Sequence, residues 1–422
     1  MKKLFALSAA TLAVLGLASC GGQKEQDIEK TKINVWATAA EEEVIKAIVD
    51  DYNATHENDF EYEFTPIAEG DCGTTLANDP TVNGAPALFL CADDHIPTLQ
   101  SRNIVAEIKG ARKEKVVKST SEVAVLGATL DDKLYGYPVT SDNGYFLWYD
   151  NSKLGAEDVS SLEALLAKCK SLGKSFLMDV PNGWYANSFI MSPQACGVES
   201  LQWKKDANGS IIYDSSWDNE VGVKVSSYIA SLLTPYYADS TLKIGSNDVI
   251  SAGFKDGTMI AAVSGTWMEK DLKTAIGNNL SACKLPTYKV DGKTYQMASF
   301  TGSKIFCINK TRPVEEQKTA AALAELLTSK EGQLVRFEKR AALPCNLEAA
   351  KDPRYTEHVS IGAKALLEQN AFACVQSKTA EARYWDIGKA IGQAYIDSLL
   401  GEAGTWEKFL KGQMDVLRKP LV

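Results

Sequence analysis

Three tryptophans stand where an apolar run of the sequence gives way to a polar one. Trp184 lies in "PNGWYAN", Trp267 in "SGTWMEK" and Trp385 in "ARYWDIG", and each has polar neighbours. An indole is a flat, rigid, apolar plate with one polar N–H at its edge. The C–H face of a sugar ring can stack on such a plate, while its hydroxyls need Asp, Asn, Glu or Arg nearby. One such Trp fits a core equally well, but three of them favour a binding site.

Alternating strands and helices would place these side chains. "INVWA" predicts a strand, and "EEEVIKAIVDDYNATH" predicts a helix because its apolar residues share one face. "FEYEFTPI", "PALFL", "SFLMDV" and "MIAAVS" predict further strands, and "AAALAELLTSKEGQLVRFEKR" predicts two helices with a break near 328–329. This alternation indicates an α/β fold, in which ligands bind beyond the carboxyl ends of the strands. Each of the tryptophans stands at such a place.

A polar patch at 140–144 separates two strand-like runs in "KLYGYPVTSDNGYFLWYD". A segment that passes between two lobes has this pattern, and so does a simple hairpin loop. The chain has 422 residues, of which 45% are hydrophobic, and this is more than one core usually holds. The length therefore favours two domains.

The usual signs of catalytic and metal centres are missing from the sequence. The three histidines, His56, His95 and His358, have no metal-ligand spacing, and no GxSxG or GxxxxGK[ST] motif occurs. "CADDHIP" brings a thiol, two carboxylates and an imidazole together, but nothing elsewhere completes a centre. Tyr236 and Tyr237 suggest an iron–phenolate site less readily than a pair of partly exposed loop tyrosines. We expect no catalytic residue, no metal and no cofactor.

Charge and cysteine content further limit the kinds of partner and of metal or disulfide site that the protein can have. The net charge is −9 with both signs interspersed, which argues against a nucleic-acid partner. Of nine cysteines, eight remain when Cys20 is set aside, and they show no CxxC or zinc spacing. An exported protein could pair some of them, whereas Cys307 in "KIFCIN" also fits a small buried apolar side chain.

The N-terminus has the pattern of an export signal. Lys2 and Lys3 precede "LFALSAATLAVLGLAS", which is shorter than the ~20 residues of a membrane-spanning helix. The stretch ends in "LASC" before the polar "GGQKEQDIEK", and this resembles the lipobox of bacterial lipoproteins. The resemblance implies a signal peptide over 1–19, a lipid on Cys20 and a tether over 20–32. The protein would then be exported and anchored on the extracellular or periplasmic face of a bacterial membrane. An ordinary secretory signal with a chance cysteine is the alternative.

Four stretches occur in a characteristic order: "KLYGYPV…LWYDNSKL", "GFKDGTMIAAVSGTW", "LLTSKEGQ" and "RYWDIGKA". Together they resemble the maltose-binding-protein type of extracellular solute-binding protein, from about residue 33 to the C-terminus. The resemblance implies a monomer with the two-lobed, type II periplasmic-binding-protein fold. In this α/β fold each lobe is a mixed sheet flanked by helices, and ligand binds in the cleft between them. Lobe 1 would comprise 33–139 and 303–345, and lobe 2 would comprise 140–302 and 346–422.

The resemblance also implies ligand contacts on both lobes. Lobe 2 would supply stacking aromatic side chains, and the polar patch would supply a group for sugar hydroxyls. The implied aromatic residues are Trp184, Trp267, Trp385 and Tyr384, and the polar residue is Asp142 or Asn143.

Lobe 1 would supply polar groups from three strand-to-helix loops. The implied contacts are Asp93 or Asp94 in one loop, Trp36, Thr38 and Glu41 in the first, and Glu69 and Asp71 near the start of the next helix. The sequence departs from the family here, because "WATAAEEE" lacks its lysine and aspartate, and Ala87 replaces a common Asp. These departures weaken the case for maltose itself.

The expected function is capture of a carbohydrate, in the form of an oligosaccharide, by hinged closure of the lobes and its delivery to an ABC importer. The expected partners are the sugar, the permease subunits and the membrane that holds the Cys20 lipid. A binding protein for a peptide, a polyamine or a metal ion is one alternative. A secreted polysaccharide-acting enzyme with Asp93 and Asp142 as its carboxylate pair is another. A glycan receptor without transport is the third.

Overall fold

The computed structural model describes residues 31–56, 60–197, 201–205, 211–238, 245–375, 382–397 and 399–419. The predicted signal peptide, Cys20 and most of the predicted tether lie outside these residues. Within them, no helix combines the length and apolar character that crossing a membrane requires.

Strands and helices alternate along the described chain. The strands are β1 Ile33–Ala37, β2 Tyr62–Pro66, β3 Leu88–Ala92, β4 Thr129–Leu130, β5 Lys133–Leu134, β6 Tyr137–Pro138, β7 Phe146–Asp150, β8 Ser175–Leu177, β9 Leu201–Lys205, β10 Ile211–Ser215, β11 Met259–Ser264, β12 Leu280–Cys283, β13 Thr287–Val290, β14 Lys293–Gln296, β15 Ser299–Thr301, β16 Lys304–Ile308 and β17 Ala373–Val375. The helices are α1 Glu42–Asn53, α2 Glu69–Asn78, α3 Ile96–Ser101, α4 Gly110–Ser119, α5 Glu122–Gly127, α6 Leu162–Ser171, α7 Gly183–Ala195, α8 Glu220–Tyr237, α9 Asn247–Asp256, α10 Glu269–Ile276, α11 Val314–Leu327, α12 Lys330–Arg340, α13 Pro353–Thr356, α14 Ile361–Gln369, α15 Ala382–Asp397 and α16 Trp406–Leu417.

Lobe 1 is built on a five-stranded sheet in the order β2–β1–β3–β16–β6. β1 runs parallel to β2 and β3, whereas β16 is antiparallel to β3 and β6. Helix α1 covers this sheet with the apolar face that its sequence predicts, because Val44, Ile45, Ile48 and Val49 are all buried. The predicted break between α11 and α12 is also confirmed: the Ser329 hydroxyl accepts a hydrogen bond from Gly332 N–H at 3.1 Å and caps α12.

Lobe 2 is built on a four-stranded sheet in the order β12–β7–β11–β8. β7 is antiparallel to β11 and β12, and β8 is parallel to β11. A separate core surrounds this sheet, with Trp148 of β7 fully buried inside it. The molecule therefore has two cores, each with its own mixed sheet, and this is the architecture that the sequence predicts.

Three crossing segments connect the lobes. The first, 139–145, leaves β6 in the lobe 1 sheet and enters β7 in the lobe 2 sheet, so the polar patch is an interlobe connection and not a hairpin. The second is 302–303, and the third is 341–346. The first and third are bonded to each other, because Ser141 N–H donates to Leu343 O at 3.1 Å, and Val139 N–H donates to Lys304 O, in the first residue of β16, at 2.8 Å.

Residues 346–359 differ from the predicted division of the chain, which assigned them to lobe 2. Leu347 N–H donates to Ser119 O at 2.8 Å, and Ala349 and Tyr355 pack on Leu334 and Phe337 of α12. Their apolar partners thus belong to lobe 1. The third crossing segment thus reaches the lobe 2 core at Leu343, and the chain returns to lobe 1 over 346–359. It enters the lobe 2 core again at α14, where Ala363 and Leu366 are buried.

Candidate ligand-binding site

Trp267 follows β11 in a short turn, and the residue is 42% exposed. The indole folds back over Gly265, where a Cβ atom would collide with the ring. Beneath this turn, the buried indole N–H of Trp148 donates to Gly265 O at 3.1 Å. The absence of a side chain at 265 and the Trp148 hydrogen bond together hold a large apolar plate at the surface of lobe 2.

Trp184 lies beside Trp267 in the first turn of α7. The two ring centroids are 6.1 Å apart and their planes differ by 33°. Tyr145 fixes Trp184 from below, since its ring packs edge-on at 4.7 Å and its hydroxyl donates to Trp184 O at 3.0 Å. Trp184 and Trp267, which we call the indole pair, form one tilted apolar surface.

Trp385 lies in α15, close to the same place. Its ring packs edge-on against Phe300 at 5.4 Å, and its carbonyl lies so near Gly183 that a side chain there would not fit. Tyr145 and Phe300 directly border the first and second crossing segments. All three predicted tryptophans therefore gather where the crossing segments enter lobe 2.

Tyr384 lies beneath this wall. Its ring packs edge-on against Trp385 with centroids 5.0 Å apart. It is only 4% exposed and belongs to the lobe 2 core. The prediction of Tyr384 as an accessible stacking residue is corrected accordingly.

Asp179 and Tyr185 complete this wall, and the sequence prediction missed both. Asp179 lies two residues after the end of β8 and is half-buried. Burial raises the pKa of its carboxyl, against the effect of hydrogen bonds from Asn182 and the Gly245 backbone. Burial also raises the pKa of Tyr185 to about 12. A hydrogen bond with Ser264 opposes that rise, and the nearby Asp179 carboxylate adds to it. The rule that located Trp184, a position just past a strand end, applies equally to Asp179.

Asp142 and Asn143 lie on the first crossing segment and are half-buried. Asp142 Oδ1 is buried, and no hydrogen-bond partner for it occurs in the described part of the chain. Asn143 Nδ2 and Asp93 Oδ1 flank Gly302, because a Cβ atom at 302 would lie 3.0 Å from the first and 3.4 Å from the second. Polar groups from lobe 1 and from the first crossing segment thus meet at the second crossing segment.

Asp93 and Asp94 have different surroundings. Asp93 is 1% exposed, and its Oδ2 accepts a hydrogen bond from Ser303 N–H at 3.1 Å, so this carboxylate fastens β3 to the second crossing segment. Asp94 is half-buried, and burial raises the pKa of its carboxyl while the charge of His95 opposes the rise. Of the two, Asp94 is better placed to reach a ligand.

Two predicted contacts of the first loop turn inward. Trp36 is 4% exposed because β1 is a central strand and this side chain faces the lobe 1 core. Glu41 is 1% exposed and forms ion pairs with Arg336, at 3.0 Å, and with Arg340. Burial alone would raise the pKa of Glu41, but the two guanidinium groups outweigh it and lower that pKa. Both residues therefore have structural roles, which corrects their prediction as ligand contacts.

Three predicted residues of lobe 1 remain. Thr38 is half-buried between β1 and α1, and its hydroxyl oxygen is buried without a hydrogen-bond partner among the described residues. Glu69 begins α2, and Asp71 is exposed in the first turn of that helix. These three stay predictions.

The described residues offer little for covalent or metal chemistry. They include no group of three His, Cys, Asp or Glu side chains that could hold a metal ion. Burial raises the pKa of Cys169 and of Cys345 to about 12, so these thiols are protonated at neutral pH. The arrangement suits binding of a neutral ring compound that has an apolar face and a polar rim.

Two lobes, three crossing segments and an aromatic wall at their junction define a solute-binding protein. The chain matches the family model of the bacterial extracellular solute-binding proteins over residues 47–363, and it belongs to that family. Members of this family are exported.

The relatives found by sequence and by structure agree with this family membership. The chain is 25% identical to the maltodextrin-binding protein MdxE of Bacillus subtilis over 364 residues, which cover 83% of this chain and 82% of that protein. Its structure is similar to the ligand-free maltodextrin-binding protein MalE1 of L. casei, with a TM-score of 0.77, 21% identity and coverage of 92% of this chain and 99% of that one. It is also similar to the Thermus thermophilus maltotriose-binding protein bound with maltotriose, with a TM-score of 0.67, 18% identity and coverage of 92% and 99%. The expected two-lobed, type II fold is confirmed.

Proposed function

We propose that this protein captures an α-linked glucose oligosaccharide of the maltodextrin type and delivers it to an ABC importer. The observation that carries the proposal is the indole pair, a tilted apolar surface beside the crossing segments. The names of the relatives, which bind maltodextrin or maltotriose, supply the sugar class.

The geometry of the indole pair suits consecutive sugar rings. Each indole can stack on the C–H face of one ring. The two planes differ by 33° at a centroid distance of 6.1 Å, so the rings that they cover are also inclined to each other. Such an inclination fits the curved chain of an α-linked glucan better than the flat ribbon of a β-linked one.

The hydroxyl rim of the sugar would be bound from the other side. Among the described residues Asp142 Oδ1 is a buried acceptor without a hydrogen-bond partner, and Asp94 is a half-buried carboxylate in a lobe 1 loop. Acceptors on lobe 1 reach a sugar stacked on lobe 2 only when the lobes approach each other. A ligand that gains these contacts shifts the population toward the closed form.

No bond of the sugar is broken in this cycle. A glycosidase built on Asp93 and Asp142 would need one carboxyl that stays protonated near neutral pH. Asp93 is 1% exposed, and its Oδ2 accepts a hydrogen bond from Ser303 N–H, so this carboxylate holds the second crossing segment and is not presented to a substrate. We therefore propose a binding protein that is not an enzyme.

The closed protein would be recognised by the permease subunits of the importer. A lipid on Cys20 would keep it on the outer face of the membrane, near the permease. Mass spectrometry of the mature protein, together with fractionation of a Cys20→Ser variant, tests this. We expect the wild-type chain in the membrane fraction with added lipid mass and the variant in the soluble fraction.

Thermal unfolding with added oligosaccharides tests the ligand. Because a ligand that binds only the folded state raises Tm by mass action, maltotriose and maltotetraose should raise it. Cellotriose, which has the same glucose units in β linkage, and spermidine are the controls. A rise with cellotriose or spermidine and none with the maltodextrins would refute the proposed ligand.

A further inference from the structure

Gln333 of α12 lies at the lobe 1 side of two crossing segments and is 1% exposed. Its amide nitrogen donates to Pro138 O at 3.2 Å, where the first crossing segment begins. Its amide oxygen accepts from Asn346 N–H at 2.8 Å, where the third crossing segment ends. The nitrogen also lies 3.3 Å from Cys345 Sγ. One side chain therefore joins both segments to a helix of lobe 1.

Just beyond these contacts the two segments keep bonds to other parts of lobe 1. Val139 N–H donates to Lys304 O of β16 at 2.8 Å, and Cys345 O accepts from Ser121 N–H at 2.8 Å. Ser141 N–H donates to Leu343 O at 3.1 Å, so here the first and third crossing segments are bonded to each other. Asp142 follows directly, and its Oδ1 has no hydrogen-bond partner among the described residues. The chain is thus fixed to lobe 1 at 138–139 and at 345–346, and between these positions the two segments are joined as a pair.

We propose that Gln333 is a positioning residue that sets the lobe 1 end of the hinge. It confines bending to the paired stretch that carries Asp142, and so it determines how far the lobes open and where Asp142 stands when they close. Gln333 does not touch the ligand. The consequence for affinity rests on the proposed sugar-binding function, whereas the consequence for lobe opening does not.

Gln369 of α14 provides a matched control. It is fully buried, its amide nitrogen donates to Met297 O at 3.1 Å, and its amide oxygen accepts from Leu285 N–H at 2.8 Å. It therefore joins two backbone segments, as Gln333 does, but both lie in lobe 2. Gln333→Met and Gln369→Met each remove an amide of the same kind and keep its length.

The experiment compares both variants with the wild-type full chain in three measurements. These are Tm, the radius of gyration of the ligand-free protein from small-angle X-ray scattering, and the Kd for maltotriose from calorimetry. We expect both variants to lower Tm. Only Gln333→Met should increase the ligand-free radius of gyration and change the Kd, by about two- to thirtyfold. Amide hydrogen exchange should also accelerate over 341–347 in this variant alone.

Equal losses of Tm in the two variants, with no difference in lobe opening or in exchange over 341–347, would show that Gln333 only supports the fold. If the wild-type protein does not bind maltotriose, the proposed sugar fails, but the scattering and exchange still decide the hinge proposal. If Gln333→Met does not fold, Gln333→Glu keeps the acceptor for Asn346 N–H and is compared with Gln369→Glu.

Discussion

The two walls of the cleft use their most distinctive side chains in opposite ways. Lobe 2 keeps Trp267 42% exposed and places Trp184 beside it, whereas lobe 1 buries Trp36 to 4% exposure and Glu41 to 1%. Lobe 2 thus presents an apolar surface that is complete before ligand arrives. Lobe 1 uses its first loop to stabilise its own fold, and the ligand contacts that we propose for it are individual polar groups.

This difference separates stability from binding. The ion pairs of Glu41 connect the start of α1 to α12, so their loss should weaken the fold. The indole pair is partly exposed, so its loss should weaken binding. Changes made separately in each wall test whether the two roles are as distinct as the structure indicates.

The largest effect is expected from Arg336→Met. This change leaves the buried Glu41 carboxylate with Arg340 alone, and a broken buried ion pair costs about 3 kcal/mol or more of unfolding free energy. Denaturant unfolding measures this loss, and the Kd for maltotriose should stay unchanged. Because the pKa of Glu41 is lowered in the native state, the stabilisation is present above its unfolded pKa of about 4.3 and disappears as pH falls through the native pKa.

Lys339→Met is the control for this experiment, since it removes the exposed pair of Lys339 with Glu43 from the same helix. Exposed pairs contribute about 0–1 kcal/mol, so this variant should be nearly as stable as the wild type. If Arg336→Met binds maltotriose more weakly but loses little stability, Glu41 is a ligand contact and not a structural residue.

Trp267→Ala should act on binding instead. Loss of one stacking plate should weaken maltotriose binding by about 1–3 kcal/mol in calorimetry. Tm should change little, because the residue is 42% exposed.

Trp406→Ala is the matched control: this partly buried Trp packs on Tyr395 at 5.4 Å and Phe409 at 5.6 Å, away from the indole pair. It should lower Tm and leave the Kd unchanged, and the reverse pattern would contradict the assignment of the site.

The smallest effect is expected from Asp179→Asn. Burial raises the native pKa of Asp179 above its unfolded value, so the native state binds more protons than the unfolded chain between these two pKa values. This group therefore lowers stability at neutral pH, and its penalty diminishes as pH falls through the native pKa. Denaturant unfolding should find the variant slightly more stable than the wild type at neutral pH, with less difference at about pH 4. A gap that widens in acid would mean that the native pKa is lowered.

The sequence predicted the fold and the aromatic wall better than it predicted the polar wall. Periodicity locates strand ends. An indole just past a strand end is not easily buried in the core, and Trp184, Trp267 and Trp385 lie close together in the structure. A carboxylate is different, because its role depends on partners that are distant in sequence. Glu41 meets Arg336 only because α1 packs on α12, and no local pattern reveals that contact.

The same reason explains the boundary near residue 346. The sequence of 346–359 has no feature that assigns it to either lobe. Only the packing of Ala349 and Tyr355 on α12 places it with lobe 1. Tyr384 shows a further limit, because the pattern "RYWD" does not say which of its two aromatic rings is accessible.

The fold of Trp267 over Gly265 has a consequence for how this site can change over generations. Any codon change that gives position 265 a side chain displaces the ring, even while the tryptophan itself is retained. The two positions should therefore be inherited and replaced together. A mutant library that varies residue 267 alone would sample only the side chains that fit over the glycine at 265.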